Sequence, residues 1–82
     1  MPGLGAPRAI RVRPGTRAVT KTLAELNLRG LTGATVLAII RERDGVLTPT
    51  GRETLRAGDL LAVAGTADAI ESAEQLLAAV EG

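Results

Sequence analysis

The chain has 82 residues and a formal net charge of +1, and it contains no cysteine and no histidine. Without these residue types it lacks a thiolate nucleophile, the usual general base and the commonest transition-metal ligand, which argues against hydrolytic and redox enzymes. The near-neutral charge argues against a surface built to bind the phosphates of a nucleic acid. We therefore expect a non-enzymatic domain with no metal, no cofactor and no nucleic-acid partner.

Apolar residues make up 45% of the chain, and none of them is Phe, Tyr or Trp. The core must be assembled from smaller side chains, in a domain that buries only about 60% of the surface of its unfolded chain. Self-association would add buried area, so we expect a homodimer. The longest apolar run, residues 34–40 with Thr35 as its one interruption, is much shorter than the roughly 20 residues that cross a bilayer, which predicts a soluble domain.

The charges are unevenly distributed along the chain. Residues 1–24 carry only basic charges, and residues 59–82 carry only acidic ones. Two interpretations are open: a solvated strand face at one end with a solvated helix at the other, or a surface that attracts anions.

The first segments are a lead-in and a strand. Gly and Pro fill four of the first seven positions, so residues 1–7 are interpreted as a flexible lead-in to a domain at residues 8–82. Apolar residues then alternate with arginines, which predicts a strand over residues 9–13 with one basic face. The Pro-Gly pair at residues 14–15 closes this strand.

A short helix and a loop are predicted next. Thr22 and Glu25 have the spacing of a capping box, in which each side chain bonds a backbone amide at the start of a helix. The helix is predicted over residues 23–28. Gly30 and Gly33 then bracket a predicted loop, because glycine tolerates positive φ.

The central part of the sequence predicts two strands. Residues 34–41 are nearly all apolar and rich in β-branched side chains, which predicts a central strand covered on both faces. The Asp-Gly pair at residues 44–45 is typical of a hairpin turn. Residues 46–48 are predicted to return antiparallel until Pro49 interrupts the pairing.

The last part predicts a helical turn, a strand and a helix. Residues 54–59 are interpreted as a helical turn that ends at Gly58, followed by a strand over residues 60–64. Thr66 is a candidate helix cap, and the apolar spacing of three and four residues that continues to Val80 predicts an amphipathic helix. This order of elements predicts an α+β fold with a small mixed or mostly antiparallel sheet and its helices on one face.

A set of residues along the chain has a recognisable spacing. Its members are Thr22, Leu23, Ala24, Glu25, Leu26, Asn27, Leu28, Arg29, Gly33, Val36, Ile39, Arg41, Pro49, Leu55, Gly58, Asp59, Leu61, Val63 and Gly65. Over residues 10–80 the chain resembles the TrkA C-terminal domain, also called the C-terminal lobe of the regulator of potassium conductance (RCK_C). The resemblance implies a βαββ(β)α fold, homodimerisation, and control of a cation transport protein by a small cytoplasmic ligand.

The resemblance also implies a ligand site. In family members that bind cyclic di-AMP, the pocket lies at the dimer interface and uses the end of the short helix, the following loop and the start of the central strand. The corresponding ligand-binding residues here are Leu28, Arg29, Gly33, Ala34, Thr35, Val36 and Pro49. Thr35 stands where binding members commonly have an asparagine, and its hydroxyl has a shorter reach. Arg29 either clamps a phosphate or pairs with Glu25 one helical turn earlier.

Two functional hypotheses follow. In the first, the chain is a ligand-sensing regulatory domain of a potassium or other monovalent-cation channel, transporter or cation/proton antiporter. It would act as a cytoplasmic dimer, held at the inner face of the membrane by its transporter, with cyclic di-AMP or a related nucleotide as regulatory ligand. In the second, it is a dimerisation and assembly module without a ligand. A polar, arginine-lined cleft favours the first hypothesis, whereas tight packing without a cavity favours the second.

Overall fold

The computed structural model describes residues 6–80, so the first five residues of the predicted lead-in lie outside the described part of the chain. It contains four strands and three helices. In chain order they are β1 (Arg8–Arg11), α1 (Leu23–Leu26), α2 (Leu28–Thr32), β2 (Thr35–Arg41), β3 (Gly45–Leu47), β4 (Leu60–Ala64) and α3 (Ala67–Ala78). The predicted α+β class is confirmed. None of these helices has both the length and the apolar composition that a bilayer crossing requires.

The four strands form one sheet in the order β1-β4-β2-β3, and each neighbouring pair is antiparallel. The sheet is therefore antiparallel throughout the described residues rather than mixed. Ile10 lies opposite Leu61, which lies opposite Ile39, which lies opposite Leu47. Because residues paired across strands point to the same face of a sheet, these four side chains form one apolar row.

The core lies between that face of the sheet and the helices. The helix α3 contributes Ala69, Ile70, Ala73 and Leu77, whose spacing of three and four residues places them on one side of the helix. Leu26 and Leu28 close the same core from α1 and α2. The other buried apolar residues are Ile10, Val12, Ala18, Ala34, Ile39, Leu55, Leu61 and Val63. The apolar part of the core is thus built from aliphatic side chains, with no aromatic ring among them.

The opposite face of the sheet, here called the outer face, carries Ala9, Arg11, Thr35, Ala38, Ile40, Val46, Leu60, Ala62 and Ala64. The prediction that β2 is covered on both faces is wrong for the isolated chain, because Ile40 stays 40% exposed and Leu37 stays 49% exposed. The reason is topological: the helices pack on the other face. A register shift between Val36 and Ala38 leaves Leu37 as an additional residue in β2.

The predicted loop between Gly30 and Gly33 is wrong, because residues 30–32 belong to α2 and Gly33 is its C-cap. Asn27 adopts a left-handed conformation with φ of 48° and separates α1 from α2. A Cβ at Gly30 would meet the side-chain amide of Asn27, so in this structure the glycine leaves room for that side chain inside the helix. Gly33 ends α2 with φ of 82°, and its N–H donates to the Arg29 carbonyl.

The predicted helical turn over residues 54–59 is also wrong. The backbone there bonds to the segment that precedes α1: Leu55 N donates to the Lys21 carbonyl at 2.8 Å, and Thr20 N donates to the Leu55 carbonyl at 2.9 Å. These groups are therefore unavailable for helical hydrogen bonds. The turn into β4 does contain Gly58 at a positive φ of 95°, as expected.

Candidate functional site

A surface concavity of about 220 Å3 lies between α1, the start of α2, the start of β2 and the segment after β3. Its lining residues are Leu23, Ala24, Asn27, Leu28, Arg29, Thr35, Val36 and Pro49. Five of the seven predicted site residues are among them: Leu28, Arg29, Thr35, Val36 and Pro49. The fold thus brings together residues that are up to 21 positions apart in the sequence.

The two other predicted site residues do not line this concavity. Ala34 is fully buried in the core. A side chain at Gly33 would meet the Cβ of Ala69 on α3 at 3.8 Å, so this position faces the helix layer. Gly33 and Ala34 therefore shape the connection between α2 and β2 instead of forming the wall of the concavity.

The concavity has an apolar floor and a polar rim. Leu28 is buried and Val36 is half-buried, and both pack against the core, whereas Arg29, Asn27 and Thr35 are exposed. An apolar floor suits the flat face of a nucleobase, and a guanidinium on the rim suits a phosphate, which it can bind through two parallel hydrogen bonds. The arrangement is therefore suited to binding an anionic molecule with an apolar part.

The alternative partner of Arg29 is engaged elsewhere. The Glu25 carboxylate accepts the Thr22 N–H at 2.9 Å, while the Thr22 hydroxyl accepts the Glu25 N–H at 3.1 Å, so the predicted capping box is confirmed. The hydrogen bond from the Thr22 backbone lowers the pKa of Glu25 from its ordinary value. Among the described residues Arg29 forms no ion pair with Glu25, which leaves its guanidinium at the rim of the concavity.

Sequence reasoning missed three lining residues, Leu23, Ala24 and Asn27. Leu23 and Ala24 carry no signal of their own, because apolar residues in a short helix are as well suited to the core as to a site. Asn27 did carry a signal: asparagine is one of the few residues that adopt the left-handed conformation, which here breaks the helix beside the concavity.

A second group of polar side chains is structural. Arg41 donates to Asp59 through two hydrogen bonds, Nε to Oδ1 at 2.9 Å and Nη2 to Oδ2 at 2.8 Å, and its Nη2 also donates to the Thr54 carbonyl. The Arg56 N–H donates to Asp59 Oδ2 at 2.9 Å, so this carboxylate also accepts an amide of the turn. The group joins the end of β2 to the start of β4.

The charge states of this pair follow from its contacts. Burial of Asp59, which is 1% exposed, by itself raises the pKa of its carboxyl, but the hydrogen bonds from Arg41 and the Arg56 backbone outweigh that effect and hold the pKa below its ordinary value. The pKa of Arg41 is raised, chiefly by its hydrogen bonds to Asp59. Both groups are thus charged at neutral pH.

Comparison with known proteins relates this chain to potassium-transport regulators. The model of the TrkA-C domain family matches residues 8–78. Probable potassium channel protein 2 of Methanocaldococcus jannaschii is 37% identical over 57 residues, which are 70% of this chain and 17% of the relative. The chain therefore spans about a sixth of the length of that channel protein.

Solved structures of two relatives share the fold. The RCK_C domain dimer of S. agalactiae BusR in complex with c-di-AMP superimposes with a TM-score of 0.78 at 28% identity, over 88% of this chain and 89% of the other. The GsuK channel bound to NAD gives a TM-score of 0.76 at 28% identity, over 93% of this chain and 14% of that one.

BusR has also been solved in complex with its busAB-promotor DNA, and there the match covers 35% of the BusR chain. The expected absence of a nucleic-acid partner thus has no support from this relative. The family match over residues 8–78 covers most of the chain, and the match to the isolated BusR domain is nearly complete in both directions. This chain belongs to the TrkA-C (RCK_C) domain family, a family of regulatory domains related to potassium channel regulators.

Proposed function

We propose that this chain senses a nucleotide for a monovalent-cation transport system, with potassium as the ion. Cyclic di-AMP is the proposed ligand, and the site is the concavity between α1, α2 and β2. The observation that carries the proposal is the convergence of Leu28, Arg29, Thr35, Val36 and Pro49, which the resemblance implied, in one concavity with an apolar floor and a basic rim.

The polar groups of this site suit binding rather than a reaction. They are the guanidinium of Arg29, the amide of Asn27 and the hydroxyl of Thr35. None of these side-chain types titrates near neutral pH, where a general acid or base works best. Regulation by a bound ligand, without catalysis, is the function that such a set supports.

The size of the concavity supports a dimeric site. Pockets that enclose a small molecule usually measure about 300–1,000 Å3, whereas this concavity measures about 220 Å3 and is open to solvent. One chain therefore supplies about half of a complete site, and a second copy supplies the other half. The BusR relative, solved as a domain dimer with c-di-AMP, supports the same arrangement.

The proposed mechanism is a shift between two orientations of the paired domains. A ligand held by both copies favours one orientation, and the partner protein responds to it on the cytoplasmic side of the membrane. A coupling of about 1–3 kcal/mol between ligand and orientation suffices for regulation. The channel relative from M. jannaschii supports a channel as the partner.

A second candidate function is an assembly module that holds transporter subunits together without a ligand. The observation that favours it is Thr35 on the rim of the concavity. Its hydroxyl cannot offer an adenine edge the paired donor and acceptor of a carboxamide. The experiment below separates the two functions.

The test is calorimetric titration of the folded chain with cyclic di-AMP. Arg29→Ala is expected to weaken binding about tenfold to hundredfold, because a hydrogen bond to a charged group contributes about 1.5–3 kcal/mol. Thr35→Asn is expected to strengthen it. The matched control is Arg17→Ala, which removes the same charge from an exposed position outside the concavity and should bind like the wild type.

Each outcome has a clear meaning. Binding that Arg29→Ala weakens and Arg17→Ala preserves supports the proposed site. No heat from any variant, while circular dichroism shows folded protein, favours the assembly module. A parallel titration with NAD, the ligand of the GsuK relative, then decides whether a different nucleotide is sensed.

A further inference from the structure

The strand β1 forms one edge of the sheet, and half of its backbone groups face away from the sheet. Its neighbour among the described strands is β4. Val12 directs both of its backbone groups to that side, because its N–H donates to the Asp59 carbonyl and its carbonyl accepts from the Gly58 N–H, each at 2.7 Å. Bonded and non-bonded positions alternate along an antiparallel pair, so the N–H and C=O groups of Ala9 and Arg11 point outwards from the edge.

This edge is regular and open. The pairing of β1 with β4 keeps one register from Arg8 to Arg11, without a bulge and without a proline inside the strand. Proteins usually protect an edge with a bulge, a proline, a covering segment or charged side chains. Ala9, Arg11 and Arg13 are all exposed, so no described segment covers the edge. Charged side chains are therefore the one form of protection found here, and a strand that tolerates their charge can still pair.

A concavity of about 360 Å3 lies beside this edge. One wall is β1, with Ile10, and the other is the last part of α3, with Glu74, Leu77 and Ala78. Ile10 and Leu77 also belong to the apolar core, so the concavity continues the layer between the sheet and the helices. Alternate residues of a strand point to the same face, so a strand added to β1 would place every second side chain on this side. An apolar side chain there would extend the core.

The charge beside the edge is basic. Arg11 and Arg13 line the concavity, and Glu74 is its one acidic lining residue. Glu74 is already paired, because its carboxylate accepts from Arg8 Nη1 at 3.0 Å. Arg11 is held near the edge, since its Nη1 donates to the Gly58 carbonyl at 2.9 Å. With Glu74 paired to Arg8, the positive charges of Arg11 and Arg13 are left to attract an anion.

We propose that the free edge of β1 binds an extended acidic segment of another protein, which adds to the sheet as an antiparallel strand. Backbone amides of the segment bond to Ala9 and Arg11, its acidic side chains lie beside Arg11 and Arg13, and an apolar side chain between them occupies the concavity beside α3. The recognised chemistry is an alternation of acidic and apolar residues. The inference goes beyond the proposed function, because the nucleotide concavity involves β2 and the segment after β3, on the other side of β4.

The charge of β1 argues against a second copy of this chain as the occupant. Pairing β1 with the same strand of another copy sets Arg8, Arg11 and Arg13 against three identical arginines, and like charges opposite each other destabilise a strand pair. A nucleic acid offers negative charge, but it has no row of peptide groups for the edge and no aliphatic side chain for the concavity. An acidic strand uses the free backbone groups, the concavity and the charge together.

The test is the binding of labelled eight-residue peptides, measured by fluorescence anisotropy at about 0.15 M salt, where distant charges are screened. The probe alternates Glu with Val, and a control has the same composition in two blocks. Because the outward groups of Arg11 bond to the residue opposite it, a Glu beside Arg11 donates its own amide to the edge. N-methylation of the Glu residues should therefore weaken binding at least tenfold, as should the block order, whereas N-methylation of the Val residues should be tolerated.

Charge reversal provides matched variants of the protein. Arg11→Glu combined with Arg13→Glu should weaken binding of the alternating peptide at least tenfold. The control is Arg17→Glu combined with Arg52→Glu, which changes the net charge equally at two exposed positions outside β1 and should bind like the wild type. Circular dichroism checks that both double variants fold, and the methylated peptides test the same edge without any change in the protein.

Four results would overturn the inference. If the block peptide binds as well as the alternating one, charge alone attracts it, and a nucleic acid would serve equally. If methylation at Val weakens binding at least as much as methylation at Glu, no antiparallel ladder forms on this edge. If the control double variant loses as much binding as the edge variant, the peptide lies elsewhere. If the alternating peptide does not bind at about 1 mM protein, the edge does not accept a strand. Cyclic di-AMP binding, measured separately by calorimetry, is unaffected by any of these results.

Discussion

Thr20 has a backbone conformation that threonine rarely adopts. Its φ of 74° lies in the left-handed region, where a β-branched side chain crowds the backbone. Two hydrogen bonds hold it there, because Thr20 N donates to the Leu55 carbonyl and Leu55 N donates to the Lys21 carbonyl. The strain is the consequence of docking the segment before α1 onto the segment before β4.

We expect Thr20→Gly to stabilise the fold by about 0.5–1 kcal/mol. Relief of left-handed strain gains about 1–2 kcal/mol, and the greater freedom of glycine in the unfolded chain costs about 0.5–1 kcal/mol. Urea denaturation followed by circular dichroism measures the difference. The control is Thr50→Gly, at an exposed threonine without positive φ, which should not stabilise. Equal effects of the two substitutions would show that Thr20 is unstrained.

Asp59 should make stability depend on pH in the acidic range. Its pKa is depressed in the folded state, so its contribution is complete above the unfolded value of about 3.9 and is lost as the pH falls through the lower folded value. In Asp59→Asn the ion pair is missing at every pH. The stability gap between wild type and variant should therefore be largest near pH 7 and shrink below about pH 4. A gap that stays constant down to pH 2 would contradict this assignment.

At the scale of elements, local signals predicted those parts of the fold in which neighbouring residues determine the conformation. The capping box of Thr22 and Glu25 does start α1, and the Thr66 side chain does cap α3. The strands β2 and β4 lie where apolar residues are concentrated, and β1 lies where apolar residues alternate with arginines. In each case the stabilising contacts are made within a few residues of the signal or along a regular apolar pattern.

Elements that depend on distant contacts were not predicted. Two glycines within four residues indicated a loop, but Gly30 lies inside α2, where the side chain of Asn27 occupies the space beside it. The bond between Arg41 and Asp59 joins residues 18 apart, and no local pattern pairs these two charges. The same limit applies to the site: five of its residues were named from a family resemblance, and their role in binding remains a prediction.

The turn at Gly58, just before β4, provides a test at the scale of elements. Gly58 has a positive φ of 95°, and a Cβ built on it meets nothing within 4 Å. Gly58→Val should therefore cost about 1–3 kcal/mol through backbone strain alone. Thr35→Ala, at an exposed strand position, should change stability by less than about 0.5 kcal/mol. Equal melting temperatures of the two variants would mean that the turn accepts a side chain.

At the scale of the whole molecule, the sequence predicted least well which faces of the sheet are buried by the rest of the chain. The apolar pattern of β2 indicated cover on both faces, and the isolated chain provides it on one. The pattern is the same whether the second cover belongs to the same chain or to another molecule, because burial removes apolar surface from water in either case. A single sequence therefore indicates that both faces of a strand are buried, but not whether the same chain or another molecule buries the second face.

The position of β1 in the sheet affects the order in which the strands separate when the protein unfolds. Ile10 pairs with Leu61 across about fifty residues of sequence, whereas β2 and β3 meet through a three-residue turn. Closing a long loop costs more entropy, so we expect β1 to dock late in folding and to detach first. Amide hydrogen exchange should then be faster in β1 than in β2 and in the amides of β4 that bond to β2. Detachment would expose the unpaired N–H and C=O groups along the edge of β4. A strand from another molecule would then pair with β4 in the place of β1.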